Sequence, residues 1–285
     1  MNETALTQIS DHVYWMPPAQ PYYPSLCAVV GDQKTLMLDA GADKAHAQRF
    51  LEAMKAKGVR PPDYVALTHW HFDHIMGASV IGVPVIAHTD TAEKIAALAR
   101  YDLNDPGHAE QKAAGNHIAN TAEYIRDQLA DPQGARITEP TLIVHDRFEI
   151  RLGGVTCQMQ HVGGDHADDS CAIYLEPDRV LFMGDSLYNG FIPVAHYTVK
   201  RVFPLLDALL AFDAESFIQG HTDKVETRAE IETLAGIIRR VGTLVQQPGA
   251  DEASVLAAAQ AQTGQAPDEE SLYFTGVFLA GRAFE

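Results

Sequence analysis

The chain has 285 residues, of which 46% are hydrophobic and 21% charged, a composition typical of a globular protein with a large core. Its formal net charge of −17 disfavours nucleic acid as a partner, because an acidic surface repels phosphate backbones. We expect no membrane partner and a cytoplasmic location, because no apolar run approaches the roughly 20 residues of a membrane span and the N-terminus lacks the features of a signal peptide.

The first hundred residues alternate short β-like runs with turns and helices. The runs that predict strands are residues 12–15, 26–30, 35–39, 64–68 and 83–87. The turn Gly31-Asp32-Gln33-Lys34 predicts a hairpin between the second and third runs. Helices are predicted over residues 43–57, ending at Gly58, and behind a capping box formed by Asp90 and Glu93.

Residues from about 101 to 138 are predicted to be a helical insertion. Their apolar side chains recur at helical spacing, at positions Ile118, Ala122, Ile125 and Leu129. An insertion of this length next to a functional site would form part of the roof of a pocket, so it bears on substrate choice.

Strand signals resume after the insertion and give way to helices towards the C-terminus. The later runs are residues 142–144, 148–150, 155–160, 171–175 and 180–183, followed by a helix behind a capping box of Thr227 and Glu230. This order predicts an α+β fold in which two sheets pack face to face with helices outside. We expect one domain over residues 1–247 and a helical C-terminal extension over 248–285, which packs on the domain or forms a homodimer contact.

The segment His69-Trp70-His71-Phe72-Asp73-His74 directly follows the predicted strand at 64–68. Three imidazoles and a carboxylate in so short a stretch would be costly to bury beside an apolar strand. A divalent metal removes this cost, because it accepts the imidazole lone pairs and the carboxylate charge together. The segment therefore predicts a metal site.

Three later turns carry further histidines and carboxylates. They are His161-Val162-Gly163-Gly164-Asp165-His166-Ala167-Asp168-Asp169-Ser170, Gly184-Asp185-Ser186 and Gly220-His221-Thr222-Asp223. Each lies where a predicted strand ends, and strand ends present side chains to a common rim. If the 161–170 turn contributes one histidine, residues 69–74 and these turns offer five candidate imidazoles. With two carboxylates, Asp73 and Asp185, this is about the number that two metal ions need.

In combination, these motifs resemble the metallo-β-lactamase superfamily. The resemblance rests on His-x-His-x-Asp-His at 69–74, the Gly-x-His-x-x-Asp turn at 164–169, Gly184-Asp185 and Gly220-His221, which occur in the family's order. It covers roughly residues 10 to 247. It implies a four-layer αβ/βα sandwich, to which this chain adds the helical insertion and the helical C-terminal tail.

The resemblance also implies a centre of two divalent metal ions. Zinc is the expected metal, and iron and manganese are the alternatives. The implied ligands are His69, His71 and His166 for one ion, Asp73, His74 and His221 for the other, and Asp185 bridging both. His161 competes with His166 for the middle position, but the family's ligand lies inside the Gly-rich turn, which favours His166. Asp39 is expected to hydrogen-bond the metal loop rather than to bind metal.

A hydrolase of small molecules follows from this resemblance, with a metal-bridging hydroxide attacking the carbonyl of an ester, lactone or thioester. We expect Asp73, Asp185 and Tyr188 to take part in catalysis. The spacing of Tyr188 from Asp185 is similar to that of N-acyl-homoserine-lactone lactonases, where a tyrosine faces the substrate carbonyl; packing at the base of a loop is the alternative. Tyr22 and Tyr23 belong to a surface loop or, alternatively, to a pocket wall.

Three other functions compete with this hypothesis. One is a mononuclear iron oxygenase resembling the persulfide dioxygenases of the same superfamily. Another is a β-lactamase-like amide hydrolase, which Asp185 disfavours because the commonest true β-lactamases carry cysteine there. The last is a non-catalytic, metal-stabilised binding protein, which the complete ligand set disfavours.

Overall fold

The computed structural model describes residues 5–19, 22–102, 105, 107–128 and 136–285. Its first sheet contains β1 (Thr7–Gln8), β2 (Val13–Met16), β3 (Leu26–Val30), β4 (Thr35–Leu38), β5 (Tyr64–Ala66), β6 (Val85–His88) and β7 (Leu142–Val144). Its second sheet contains β8 (Arg147–Arg151), β9 (Thr156–His161), β10 (Cys171–Glu176), β11 (Val180–Gly184), β12 (Ser216–Gln219) and β13 (Glu226–Thr227). The predicted strands all match observed ones, with ends that differ by at most two residues.

The helices lie between and after these strands. They are α1 (Lys44–Ala56), α2 (Phe72–Ile75), α3 (Ala78–Ile81), α4 (Thr89–Ala99), α5 (His108–Ala113), α6 (His117–Gln128), α7 (Val199–Ala211), α8 (Arg228–Val245), α9 (Glu252–Thr263) and α10 (Glu269–Gly281). Strands β1 to β4 pair antiparallel, and β4 to β7 pair parallel. In the second sheet β11 and β12 run parallel, and the other described pairs are antiparallel.

Alternation along the strands gives each sheet two apolar faces. In β4, Leu36 and Leu38 pack between the two sheets, whereas Met37 packs on the opposite face with helices α1, α4 and α6. In β11, Phe182 points between the sheets and Leu181 points towards α7, α8 and α10. Three hydrophobic layers therefore separate four layers of backbone. The fold is the α+β, four-layer αβ/βα sandwich that the sequence predicts.

All three predicted helices form, but one of the two predicted capping boxes does not. Asp43 caps α1 by accepting a hydrogen bond from a backbone N–H, and Thr227 forms the predicted capping box of α8. The predicted box of Asp90 and Glu93 does not form. Because β6 runs into α4 without a loop, His88 is forced into the N-cap position, where its Nδ1 accepts from the Asp90 N–H at 3.3 Å.

The insertion and the C-terminal residues both add helices to the outside of the sandwich. Helix α6 buries Ala122 and Ile125 against the cluster on the outer face of the first sheet; Leu129 lies outside the described residues. Helix α10 packs on α8 through Phe274 and Phe278. The domain boundary at 247 and the homodimer contact stay predictions. In the described part of the chain, none of the helices has the length and apolar character that a membrane span requires.

Candidate metal centre

Four loops meet at one edge of the sandwich, and each begins where a strand ends. Residues 69–74 lie after β5, residues 162–170 join β9 to β10, Asp185 follows β11, and His221 follows β12. The loops are tied by backbone hydrogen bonds, from the Gly220 N–H to the Gly184 carbonyl at 2.9 Å and from the Cys171 N–H to the Thr68 carbonyl at 2.9 Å. As a result, all seven side chains predicted to bind metal lie together.

One group consists of three imidazoles. His71 Nδ1 lies 3.0 Å from His69 Nε2 and 2.9 Å from His166 Nε2. Burial, reinforced by the neighbouring imidazoles, lowers the pKa of His69 and of His71 well below the ordinary histidine value. Neutral imidazoles whose nitrogens converge are the donor set that a divalent ion of the zinc type prefers, so this group fits a metal.

The second group combines two carboxylates with two imidazoles. His221 Nε2 lies 3.2 Å from Asp73 Oδ2 and 3.3 Å from Asp185 Oδ2, and His74 Nε2 lies 3.3 Å from Asp185 Oδ2. Asp185 Oδ1 is buried without a hydrogen-bond partner. A buried, unsatisfied carboxylate oxygen is unfavourable unless a cation binds it, so this group also fits a metal.

Asp185 lies between the two groups. Its Oδ2 is 3.4 Å from His166 Nε2 in the first group and 3.3 Å from His221 Nε2 in the second. Burial acts to raise the pKa of Asp185, but His74 and His221 outweigh it and hold that pKa well below the ordinary range. The carboxyl group is therefore ionised, as a ligand shared by two cations requires.

The carboxylates have the opposite effect on the two histidines of the second group. Burial acts to lower the pKa of His221, but Asp185 and Asp73 raise it to about 10. In the same way, Asp185, Asp73 and Asp39 overcome burial and raise the pKa of His74. Negative charge is thus concentrated where these imidazoles point, which is the electrostatic environment of a cation site.

Asp39 holds His74 from behind. Its Oδ2 accepts a hydrogen bond from His74 Nδ1 at 2.7 Å, and its Oδ1 accepts from the Thr68 N–H at 2.7 Å. Because Nδ1 donates to Asp39, the lone pair of His74 is on Nε2, which faces Asp185. This supporting contact is the one expected of Asp39 from the sequence.

The glycines that precede the ligands are required by close packing. At position 220, any Cβ would overlap Asp185 Oδ1. At position 184 the backbone φ is +52°, and a Cβ would come 2.6 Å from Thr68 Oγ1. The Gly-Asp and Gly-His pairs of the sequence therefore reflect how tightly the strand ends approach each other.

His161 lies outside both groups. Its Nε2 is 2.7 Å from the Asp168 carbonyl oxygen, and its ring stacks on His88 with centroids 4.5 Å apart and planes 6° apart. His88, Asp90 and His161 could be regarded as a third metal group by distance alone. However, imidazole lone pairs lie in the ring plane, and two parallel planes do not direct them to a common point.

Asp169 positions the 69–74 loop, a role that its sequence position does not reveal. From the sequence it is simply the last residue of the turn at 164–169. The side chain is buried, and its Oδ2 accepts from the Trp70 N–H at 3.1 Å and from Thr91 Oγ1 at 2.7 Å. Asp169 thereby joins the 69–74 loop to helix α4. The Gly-x-His-x-x-Asp turn contained this residue, but nothing in its spacing distinguished a tether from a turn residue.

A cavity of about 610 Å³ opens above the two groups. Its lining includes Tyr22 from the N-terminal loop, Tyr124 from the insertion, and Tyr188. Tyr188 Oη accepts from the His221 N–H at 3.1 Å and lies 3.2 Å from Thr222 Oγ1. Of the alternatives for Tyr22, the pocket wall is therefore the one observed. No motif or spacing marks four further lining residues, which are Thr121, Tyr124, Asn189 and Phe191.

A four-layer sandwich with two adjoining groups of histidines and carboxylates at one edge is compatible with a dinuclear metal site. The Lactamase_B family model, described as the metallo-beta-lactamase superfamily, matches residues 21–228, and the chain belongs to this superfamily.

Similar proteins have diverse names. A linear primary-alkylsulfatase from Pseudomonas sp. is 22% identical over 226 residues, which are 72% of this chain and 42% of that protein. A hydroxyacylglutathione hydrolase from Francisella tularensis is 28% identical over 100 residues, 34% of this chain and 39% of that protein. The chain therefore spans less than half the length of either relative. A metallo-beta-lactamase from Pontibacter korlensis has the same fold, with a TM-score of 0.58, 17% identity and coverage of 81% of this chain and 96% of its own.

Proposed function

We propose that the protein is a hydrolase that uses two divalent metal ions to cleave a carbonyl ester, lactone or thioester, with zinc as the expected metal. The observation that supports this most is the convergence of the seven side chains, five of which line a cavity large enough for a small-molecule substrate, namely His71, Asp73, His166, Asp185 and His221. One of the similar proteins is named as a hydrolase, the hydroxyacylglutathione hydrolase, which agrees with this class of reaction.

Each proposed ligand has a role that follows from its neighbours. His69, His71 and His166 would hold one ion, and Asp73, His74 and His221 the other, with Asp185 between them. When bound, a pair of divalent ions lowers the pKa of a water molecule to near 7 and polarises a carbonyl group. Asp39 keeps Nε2 of His74 directed towards Asp185.

Tyr188 is proposed to donate a hydrogen bond to the substrate oxygen. Burial and the Asp185 carboxylate raise its pKa well above the ordinary value, so the phenol keeps its proton at neutral pH. Its oxygen already accepts from the His221 N–H, which fixes the ring and leaves the O–H proton to donate to Thr222 or to a substrate in the cavity.

Replacing Tyr188 with phenylalanine is expected to lower kcat by about tenfold without changing the metal content, because it removes the phenol oxygen and its hydrogen bonds but none of the proposed metal-binding atoms. Steady-state kinetics and metal analysis of the same preparation measure both quantities. Tyr174→Phe is the matched control, since it removes a phenol that binds the Asp213 carbonyl outside the cavity. An unchanged kcat in Tyr188→Phe would assign the ring to packing.

The proposed function is tested with protein that has been stripped by a chelator and reloaded with zinc, iron or manganese. The panel contains a lactone, an aryl ester, a thioester, a β-lactam, an alkyl sulfate, a phosphodiester and glutathione persulfide with an oxygen electrode. We expect turnover of at least one carbonyl ester, lactone or thioester only after reloading, without oxygen uptake. Oxygen uptake by a one-iron form would favour the dioxygenase, and failure on every substrate would favour a binding protein.

A further inference from the structure

The cavity above the proposed metal ligands has an aromatic wall, formed by Tyr22, Phe72, Tyr124 and Phe191. The rings of Phe72 and Tyr124 are nearly parallel, with centroids 6.0 Å apart and planes 9° apart, and Tyr22 lies 5.9 Å from Phe72. Phe191 completes the wall beside His166, with ring centroids 5.6 Å apart. These aromatic rings therefore offer apolar surface next to the place where the reaction would occur.

The same cavity lacks cationic side chains among the described residues that line it. Its described lining consists of aromatic, polar, histidine and aspartate side chains. The histidines and aspartates in this set all belong to the proposed ligand groups. A neighbouring cavity, which shares Tyr22 and His221, adds the carboxylate of Asp223. An anionic substrate group that binds away from the proposed metal ions would therefore find no lysine or arginine there, and the net charge of −17 would repel it further.

We propose that the substrate is uncharged and carries a large apolar group, which binds against the aromatic wall, and that Tyr124 is a specificity-determining residue for this group. This inference rests on the proposed carbonyl hydrolase function and names its substrate class. The cavity volume of about 610 Å³ lies within the range of sites that enclose drug-sized ligands, so the group is larger than an acetyl.

Tyr124 is the residue of the wall best suited to a test. It lies on α6 of the insertion and is 42% exposed, whereas its neighbours Ala122 and Ile125 are fully buried and hold the helix in place. A substitution at position 124 therefore changes the cavity wall with little effect on the core. Leucine there keeps the wall apolar, and lysine introduces the cation that the wall lacks.

The test compares kcat/KM for phenyl phenylacetate with two analogues that carry a para-carboxylate, one on the acyl ring and one on the leaving phenol. We expect the metal-loaded enzyme to prefer the neutral ester over at least one analogue by tenfold or more. Tyr124→Lys should reduce this preference at least fivefold, and Tyr124→Leu should retain it. Leu142→Lys is the control for added charge, because Leu142 is 41% exposed on β7 and does not line either cavity.

Two failures are distinguishable. If the metal-loaded enzyme hydrolyses none of the three esters and nothing in the wider panel, the proposed function fails and the inference falls with it. If the neutral and anionic esters are hydrolysed equally well, or if Tyr124→Lys leaves the preference unchanged, the hydrolase stands and the substrate inference alone is overturned.

Discussion

Replacing Asp185 with asparagine is expected to lower kcat/KM by at least about a thousandfold and to reduce the metal content by about one ion per chain. The substitution keeps the shape of the side chain and removes its charge. Asp185 Oδ2 lies within 3.4 Å of imidazole nitrogens from both groups, so this one carboxylate can neutralise charge in both. Two divalent ions about 4 Å apart repel each other strongly unless an anion is shared between them.

The result is interpretable only if the variant stays folded. Circular dichroism and the thermal midpoint of the chelated protein should be close to wild type, because asparagine fits the space beside Gly220. Asp207→Asn is the control, since that carboxylate is exposed and pairs with Arg239 on the opposite, helical side of the second sheet. Near-wild-type turnover of Asp185→Asn would refute the bridging role.

The exchange of His166 or His161 for alanine should give very different outcomes. His166→Ala removes one of the three imidazoles that would hold the first metal ion. We therefore expect loss of about one ion and a decrease in kcat/KM of at least a hundredfold. His161→Ala removes a ring that stacks on His88 and contacts the Asp168 carbonyl, so both ions should remain and kcat/KM should stay within about threefold of wild type.

This pair is a sharp test because the two histidines lie five residues apart in the same segment. Each variant therefore serves as the control for the other, with metal analysis and kinetics performed side by side. The opposite pattern, in which His161→Ala loses metal and His166→Ala does not, would exclude the proposed ligand set.

Much of the fold was predictable because its signals are local or follow simple alternation. The apolar run at residues 35–38 predicts a buried strand. In the structure both faces of this strand are packed, with Met37 against the outer helices and Leu38 between the two sheets. The end of β6 was not predictable in this way. Asp90 is a better N-cap than histidine by residue type, but the absence of a loop after β6 places His88 there instead.

The convergence of the seven proposed ligands was predictable because their motifs resemble those of the superfamily and occur in the same order. The walls of the cavity were not, because Tyr124 and Phe191 are ordinary aromatic residues whose positions depend on how α6 and the loop after β11 pack. The position of the Asn189 side chain depends on a residue even farther away in the sequence, because its Oδ1 accepts a hydrogen bond from Tyr273 of α10. Such contacts between distant parts of the chain leave no periodic pattern.

We propose that this chain holds two metal ions through the seven side chains at the edge of its sandwich. The most direct measurement is the number of zinc, iron and manganese ions per folded chain, determined by mass spectrometry of the purified protein after dialysis against a weak chelator. We expect a total of two ions per chain in the wild type, falling by about one in Asp185→Asn and in His166→Ala. A single tightly bound iron, or no metal at all, would contradict it.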